Sequence, residues 1–305
     1  MEAVDQATLA WLMDGDPAIR WQTLRDLSNA DPSASEAARK SVVTEGWGRQ
    51  IIDGLLPDGT WPHGRWTGSP WVPLLAMDFG MPADEPLFAA ACRQFLDPQL
   101  SRKDLQSVAG FLKNMDICHI GFWLRIGAYI CPADPRLSLL ADCLEEFQMA
   151  DGGWNCRIRP KPETRHSSLH TTFNVLEGLR EAASSGIVGA GRYRAMEDRA
   201  AEFVLSHQYY KSDKTGKVIN EQFTRTTFPS HWHYTVLRGL DFFRSTTWSN
   251  DPRSGDAKEL LKSQRAPDGR WRLGTPIAGK LPFPIEKTGK ESRWVTLKAL
   301  RILAS

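Results

Sequence analysis

Three histidines recur at one position of three successive repeated segments: His119, His170 and His231. An imidazole titrates near neutral pH, so a histidine at each position can serve as a general acid or base. Three of them at one level can also hold a zinc or iron ion with one coordination position open. The structural alternative is that each histidine forms a hydrogen bond at the start of a helix. Glu177 lies on the same predicted helix face and is a fourth candidate acid or base.

Two cysteines near these histidines extend the metal hypothesis. Cys118 directly precedes His119, and Cys156 lies before the segment that leads to His170. A zinc set drawn from cysteine and histidine is conceivable, but the spacings match no compact CxxC or HExxH motif. We therefore keep zinc and iron as candidate cofactors without assigning ligands. The sequence contains no nucleotide-cofactor motif.

The repeated segments predict the elements that position these groups. Six segments align without gaps at a spacing of roughly 50 residues, each with one aromatic residue at the same register: Trp21, Trp71, Phe122, Phe173, Tyr234 and Trp294. Each segment follows another stretch with helical apolar periodicity, and strand-like alternation is scarce. The sequence therefore predicts an all-α fold of six helical hairpins that form a single domain over residues 1–305.

The alignment also predicts which face of each helix is free for a ligand. In each segment, the last aligned residue and the residues three, four and seven positions before it are mainly Leu and Val. On a helix these positions lie on one side and form a packing face. The opposite face carries the histidines and, further along, other polar residues: Gln22, Arg25, Asn174, Glu177, Thr235, Arg238 and Lys298. Because unpaired buried charges are costly, this face predicts a site for an amphipathic or anionic small molecule.

Aromatic and cationic residues are the predicted substrate-binding groups. The six aligned aromatic residues flank the polar face, where they suit an apolar or cationic moiety or simply separate neighbouring helices. Arg238 and the cations of the loop at residues 155–165, beginning with Arg157, would orient an anion. This loop precedes a helix N-terminus, which also attracts anions. The alternative for the loop is that its cations are simply solvated.

A second motif recurs in three connecting segments: DGTW at 58–61, DGGW at 151–154 and DGRW at 268–271. Asp and Gly favour a tight turn, and the Trp offers a large surface that can pack over the preceding helix. We predict that these Trp residues hold neighbouring hairpins together. Two of the three motifs follow a glutamine, Gln148 and Gln264.

Glutamine followed by DGxW between helical hairpins resembles the QW repeat of the squalene cyclase and protein prenyltransferase β-subunit superfamily. The resemblance covers nearly the whole chain and points to a single-domain bacterial branch of that superfamily. It implies an α/α toroid, with six inner and six outer helices around a central cavity, and terpene or isoprenoid chemistry. The sequence has neither the DxDD acid of class II cyclases nor a DDxxD motif, so proton-initiated cyclisation is not implied.

Composition excludes several classes of protein. No apolar stretch approaches the ~20 residues of a transmembrane helix, and the acidic N-terminus does not resemble a secretory signal. Five cysteines, an odd number, favour a reducing compartment, and we predict a cytoplasmic protein. A net charge of +2 is too small to indicate a nucleic-acid partner.

Three functional interpretations remain open from the sequence. The first is a toroid that binds and converts an amphipathic, isoprenoid or anionic small molecule in its central cavity. The second is a metal-dependent enzyme of another reaction class that uses the histidines. The third is a scaffold that holds a ligand or peptide without chemistry.

Overall fold

The computed structural model describes residues 4–28, 30–62, 68–277 and 280–305. Fourteen α-helices form within these ranges: α1 (Gln6–Met13), α2 (Pro17–Leu27), α3 (Pro32–Lys40), α4 (Gly46–Asp53), α5 (Trp71–Phe79), α6 (Pro86–Leu100), α7 (Val108–Asn114), α8 (Ile117–Ile130), α9 (Arg136–Glu146), α10 (Leu169–Ser184), α11 (Ala190–Ser206), α12 (Val236–Phe243), α13 (Gly255–Ser263) and α14 (Arg293–Leu303). Extended structure in the same ranges is limited to two isolated bridges. The prediction of an all-α chain is confirmed.

The six aligned segments correspond to α2, α5, α8, α10, α12 and α14. The helices expected between them are present as α4, α6, α9, α11 and α13, with α1 before the first segment and with α3 and α7 as additions. Across the described part of the chain, no helix has the length and apolarity needed to cross a bilayer. The periodicity of the sequence therefore predicted the helical content and its order.

The fifth aligned segment departs from the predicted helix. The sequence places His231 and Tyr234 on a helix, but α12 begins at Val236, and this part of the prediction is wrong. The hydroxyl of Thr235 accepts a hydrogen bond from the backbone N–H of Arg238 at 3.3 Å, which caps the helix there. His231 has a φ of 49°, a left-handed conformation that does not continue a right-handed helix.

The chain divides into two compact units. Unit 1 comprises Met1–Glu85 with His207–Ser305, and unit 2 comprises Pro86–Ser206. Unit 1 therefore contains α1 to α5 and α12 to α14, whereas unit 2 contains α6 to α11. The prediction of one domain over the whole chain stays a prediction.

The two ends of the chain pack together within unit 1. The Nε of Arg293 donates to the carbonyl oxygen of Trp11 at 2.9 Å. The guanidinium carbons of Arg270 and Arg293 lie 4.2 and 4.6 Å from the centroid of the Trp11 ring. Nearby, the Phe228 and Trp294 rings stack at 4.2 Å in the core. The first and last helical hairpins thus share one packed body.

In unit 2, α8 and α10 are in backbone contact. A Cβ atom added at Gly121 would lie 2.5 Å from the carbonyl oxygen of Asn174, and one added at Gly178 would lie 2.4 Å from that of Gly121. Only glycine permits this approach at both positions. Gly121 and Gly178 therefore allow the close packing of α8 against α10.

The three DGxW motifs adopt the same local structure. The indole Nε1 of Trp61, Trp154 and Trp271 donates to the carbonyl oxygen of the residue ten positions earlier, at 3.1, 2.6 and 2.8 Å. These acceptors lie in the last turns of α4, α9 and α13. All three Trp side chains are buried. The expected packing of each Trp over the preceding helix is confirmed, whereas its role in holding neighbouring hairpins together stays a prediction.

We expect Trp154→Phe to lower the free energy of unfolding by about 1–3 kcal/mol, because the carbonyl oxygen of Leu144 loses its donor while an aromatic ring is kept. Urea unfolding followed by circular dichroism measures this change. Trp47→Phe is the control, since the half-buried Trp47 packs by its ring against Phe79 and Trp294. Equal losses in the two variants would contradict the role of the indole hydrogen bond.

Candidate functional site

A dense set of charged side chains lies where α2, α12 and α14 pack together in unit 1. We call it the Arg301 network, and its members are Gln22, Arg25, Asp26, Asp241, Arg244, Lys298 and Arg301. The side chains come from three helices that are far apart in sequence, with Arg244 directly after the end of α12.

Arg301 joins the three helices. Its Nε and Nη2 donate to the two carboxylate oxygens of Asp241, each at 2.6 Å. Its Nη1 donates to Asp26 Oδ2 and to Gln22 Oε1, each at 2.9 Å. The Arg301 side chain is 8% exposed. A guanidinium is well suited to this position because its planar donors match two carboxylates at once.

Three further cations surround this buried centre. Arg25 Nε lies 2.7 Å from Asp26 Oδ1, and Lys298 Nζ lies 3.4 Å from Asp241 Oδ2. Arg244 contacts both carboxylates, each at 3.3 Å. As defined, the network holds four cations and two carboxylates, so it has an excess of two positive charges.

The exposed part of the network is cationic. The Asp26 and Asp241 side chains are only 6% and 12% exposed, whereas those of Arg25 and Arg244 are 43% and 23% exposed. Lys298 is intermediate, and its Nζ also lies 5.5 Å from the centroid of the Phe228 ring. An approaching ligand therefore meets cations first, which favours an anion.

The two carboxylates are held in the ionised form. Burial by itself would raise the pKa of Asp26 and of Asp241, but the neighbouring cations outweigh it and lower both pKa values from their ordinary 3.8. The guanidinium of Arg301 is the leading electrostatic cause for Asp241, and the hydrogen bond from Arg25 is the leading one for Asp26. Neither group can donate a proton as a general acid near neutral pH.

Sequence reasoning found only part of this network. It placed Gln22, Arg25 and Lys298 on the ligand face, but it missed the two carboxylates and Arg301. Asp241 and Arg301 are each the first residue after the last aligned leucine of their segment. Opposite charges at one register of successive repeats were the signal that could have revealed the pair.

In unit 2, Cys156 brings the first turns of α8 and α10 together. Its Sγ accepts a hydrogen bond from the backbone N–H of Cys118 at 3.3 Å and another from the hydroxyl of Thr171 at 3.5 Å. His119 follows Cys118, and His170 precedes Thr171. Two of the three predicted histidines therefore stand at the same end of unit 2. Burial lowers the pKa of His119, which favours the neutral, basic imidazole.

Glu177 forms an ion pair with Arg125 across α8 and α10. The Arg125 Nη1 lies 2.9 Å from Glu177 Oε2, and the two side chains are 18% and 19% exposed. Arg125 was not among the predicted site residues. The predicted acid–base role of Glu177 stays a prediction.

His231 lies in unit 1, in the loop before α12. The centroid of its ring is 5.5 Å from that of Trp71, in an edge-on arrangement. Arg238 Nη1 donates to the backbone carbonyl oxygens of His231 and His233 at 3.4 and 3.0 Å, so Arg238 helps to shape this loop. Within the described ranges, no group of three or more His, Cys, Asp or Glu side chains is arranged to hold a metal ion.

The predicted substrate-binding residues differ in exposure. Phe122, Phe173, Tyr234 and Trp294 are buried among other side chains. Their burial favours the alternative that they separate neighbouring helices, and a ligand contact of these four residues stays a prediction. Trp21 and Trp71 are half-buried, and Arg157 is exposed in the turn after the second DGxW motif. For these three residues a ligand contact stays a prediction.

An open groove in unit 2 lies apart from these groups. It has a volume of about 1200 Å³ and runs along α7, α9 and the loop at residues 158–165. Arg192 in its wall is paired with Asp142 and Glu145, at 2.8 and 2.5 Å. None of the predicted catalytic residues lines this groove, whereas Arg165, a cation of the predicted anion-binding loop at residues 155–165, does.

Two solved structures are similar to this chain over most of its length. One is a polysaccharide lyase, with a TM-score of 0.50 and 14% sequence identity. The other is a family 88 glycosyl hydrolase from Bacteroides vulgatus, with a TM-score of 0.50 and 10% identity. In both cases the alignment covers 94% of this chain and 88% of the other. No protein-family model and no curated protein matches the sequence.

These likenesses show the fold alone, and they confirm the predicted fold class, an α/α toroid. They also correct the predicted family. The structural neighbours are carbohydrate-active enzymes and not squalene cyclases or prenyltransferases, so the membership and the terpene or isoprenoid chemistry predicted from the QW repeat are wrong. The DGxW motif indicates how a helical hairpin packs, and hairpins of this kind occur in proteins with unrelated chemistry.

We expect Arg301→Met to lower the free energy of unfolding by about 3–5 kcal/mol, because Asp26 and Asp241 would stay buried without their shared cation. Urea unfolding measures the change. The matched control is Arg49→Met, which breaks the exposed pair with Asp53 in the same unit and should change the stability little. A similarly small effect of the two variants would show that the network does not join the helices.

Acid should destabilise the protein through Asp26 and Asp241. Because their pKa values are lowered in the folded state, their ionised forms stabilise the fold above about pH 4, and this contribution is lost as the pH falls further. Unfolding in urea at intervals from pH 6 to pH 2 should show a steep loss of stability below pH 4. Asp241→Asn should flatten that slope, and Asp53→Asn should leave it unchanged. A slope that Asp241→Asn does not alter would contradict the assignment.

Proposed function

We propose that this chain binds an acidic carbohydrate and cleaves a glycosidic linkage in it. The observation that carries the proposal is the cationic, partly exposed rim of the Arg301 network, formed by Arg25, Arg244 and Lys298. The fold shared with a polysaccharide lyase and a glycosyl hydrolase is compatible with such an activity. The polar helix face that the repeat alignment predicts, which suits an anionic ligand, supports the same class of substrate.

The network suits a sugar that carries a carboxylate. Guanidinium and ammonium groups bind carboxylates through charge-assisted hydrogen bonds. An aromatic ring beside the cations can pack against the apolar C–H face of the sugar ring. Trp21 offers such a ring, because it is half-buried and its centroid lies 4.5 Å from the guanidinium carbon of Arg25. The pairing of cation and ring is therefore present within unit 1.

Proton transfer is the other requirement of either reaction class. A lyase removes a proton next to the sugar carboxylate, and a hydrolase needs a general acid and a base. The ionised carboxylates of the Arg301 network do not meet the need for an acid. The predicted catalytic residues His119, His170, His231 and Glu177 stay candidates for proton transfer, and of these His231 lies in unit 1 with the Arg301 network.

Binding is tested by isothermal titration calorimetry with trigalacturonate, and with maltotriose as the neutral trisaccharide. We expect the acidic sugar to bind at least about tenfold more tightly, which corresponds to ~1.4 kcal/mol, and to lose affinity as salt is added. Lys298→Met should weaken its binding by a similar factor without loss of the fold. The control Arg49→Met should bind like the wild type, since Arg49 lies on an exposed pair outside the network.

Equal affinity for the two sugars, or no binding of either, would contradict the proposal. The reaction class is read from the products of a polyuronate substrate. Ultraviolet absorbance from a new carbon–carbon double bond indicates a lyase, and new reducing ends without that absorbance indicate a hydrolase. Binding of the acidic sugar without either product would contradict the proposed cleavage and indicate a carbohydrate-binding protein.

A further inference from the structure

We propose that Cys118 and Cys156 form a reactive dithiol, in which Cys156 is oxidised by a hydroperoxide and Cys118 then closes a disulfide with it. This modification site lies within unit 2 and is independent of the proposed carbohydrate binding. The two residues are 38 positions apart in sequence, and helix packing brings them together.

The Cys156 sulfur is surrounded by donors. The backbone N–H of Cys118, in the first turn of α8, donates to it at 3.3 Å, and the hydroxyl of Thr171 donates at 3.5 Å. The contact with the backbone of Cys118 places the Cys118 and Cys156 side chains next to each other. Two donors and the N-terminus of a helix stabilise a thiolate in preference to a thiol.

Charges near the pair do not cancel this effect. The carboxylate of Asp116 would disfavour a thiolate, but it is paired with Arg159 at 2.8 Å. Led by the hydrogen bond from Cys118, the donors lower the pKa of Cys156 to about 7. The same hydrogen bond raises the pKa of Cys118, which makes Cys118 the proton donor and Cys156 the nucleophile.

The other three cysteines have different surroundings. Cys92 and Cys143 are fully buried, and burial raises the pKa of both thiols. Cys131 is half-buried at the end of α8, and burial likewise raises the pKa of its thiol. Cys131 is therefore a suitable internal comparison, because it has similar access to solvent and lacks the donors of Cys156.

The chemistry balances with a hydroperoxide as the only oxidant. The Cys156 thiolate attacks the terminal oxygen of the hydroperoxide, so an S–O bond forms, the O–O bond breaks and the alkoxide leaves as an alcohol after protonation. The Cys118 sulfur then attacks the sulfenic acid of Cys156. An S–S bond forms, the S–O bond breaks, and the departing hydroxide takes the Cys118 proton as water. Two thiols and one hydroperoxide thus become a disulfide, an alcohol and water.

The test treats the folded full chain with a small excess of hydrogen peroxide and maps thiols by alkylation and peptide mass spectrometry. We expect a peptide that links Cys118 to Cys156, formed at least about tenfold faster than any oxidation of Cys131. Dithiothreitol should restore both thiols. In Cys118→Ser, Cys156 should stop at the sulfenic acid, which dimedone traps, and in Cys156→Ser the Cys118 thiol should stay reduced.

Two further variants make the test independent of folding defects. Thr171→Val removes one donor while it keeps the shape of the side chain, and it should slow oxidation of Cys156 severalfold while the same disulfide still forms. Cys131→Ser should change neither the rate nor the product. Oxidation of Cys156 no faster than that of Cys131, or a sulfenic acid in the wild type that never resolves to the disulfide, would overturn the proposal.

Discussion

The structure of unit 1 depends on one buried guanidinium. Arg301 comes from the last helix of the chain, and its acceptors Asp241, Asp26 and Gln22 come from the twelfth and second helices. A cation this buried is tolerated only because each carboxylate and the amide accept from it in good geometry. The same arrangement keeps both carboxylates ionised and leaves the charges of Arg244 and Lys298 only partly balanced. Helix packing and the affinity for anions are therefore consequences of the same contacts.

The DGxW turn explains why the resemblance to the QW repeat implied the wrong chemistry. The indole of each Trp ties a connection to the end of the preceding helix, and the geometry is the same at Trp61, Trp154 and Trp271. A pattern that serves packing says which hairpins are present and nothing about the reaction between them. The resemblance therefore implied the right fold class and the wrong chemistry. The missing DxDD motif already indicated this separation.

The two units differ in the kind of chemistry that they hold. The Arg301 network of unit 1 consists mainly of permanent charges, which bind and orient ions but do not exchange protons near neutral pH. Unit 2 contains the Cys118–Cys156 pair, in which the pKa of Cys156 is lowered to about 7. The close packing of α8 against α10 needs Gly121 and Gly178. This packing places Thr171 and Cys118 within hydrogen-bonding distance of the Cys156 sulfur.

The sequence by itself determined the all-α class, the order of the helices and the packing of the DGxW tryptophans over the preceding helices. These features depend on periodicity and on contacts between residues near in sequence, which a repeat alignment displays directly. Only the tertiary structure decided that Phe122, Phe173, Tyr234 and Trp294 are buried and that His231 precedes its helix. It alone brought Asp26, Asp241 and Arg301 together, because ion pairs between distant helices depend on side-chain direction and mutual distance, and neither has a periodic signature along the chain.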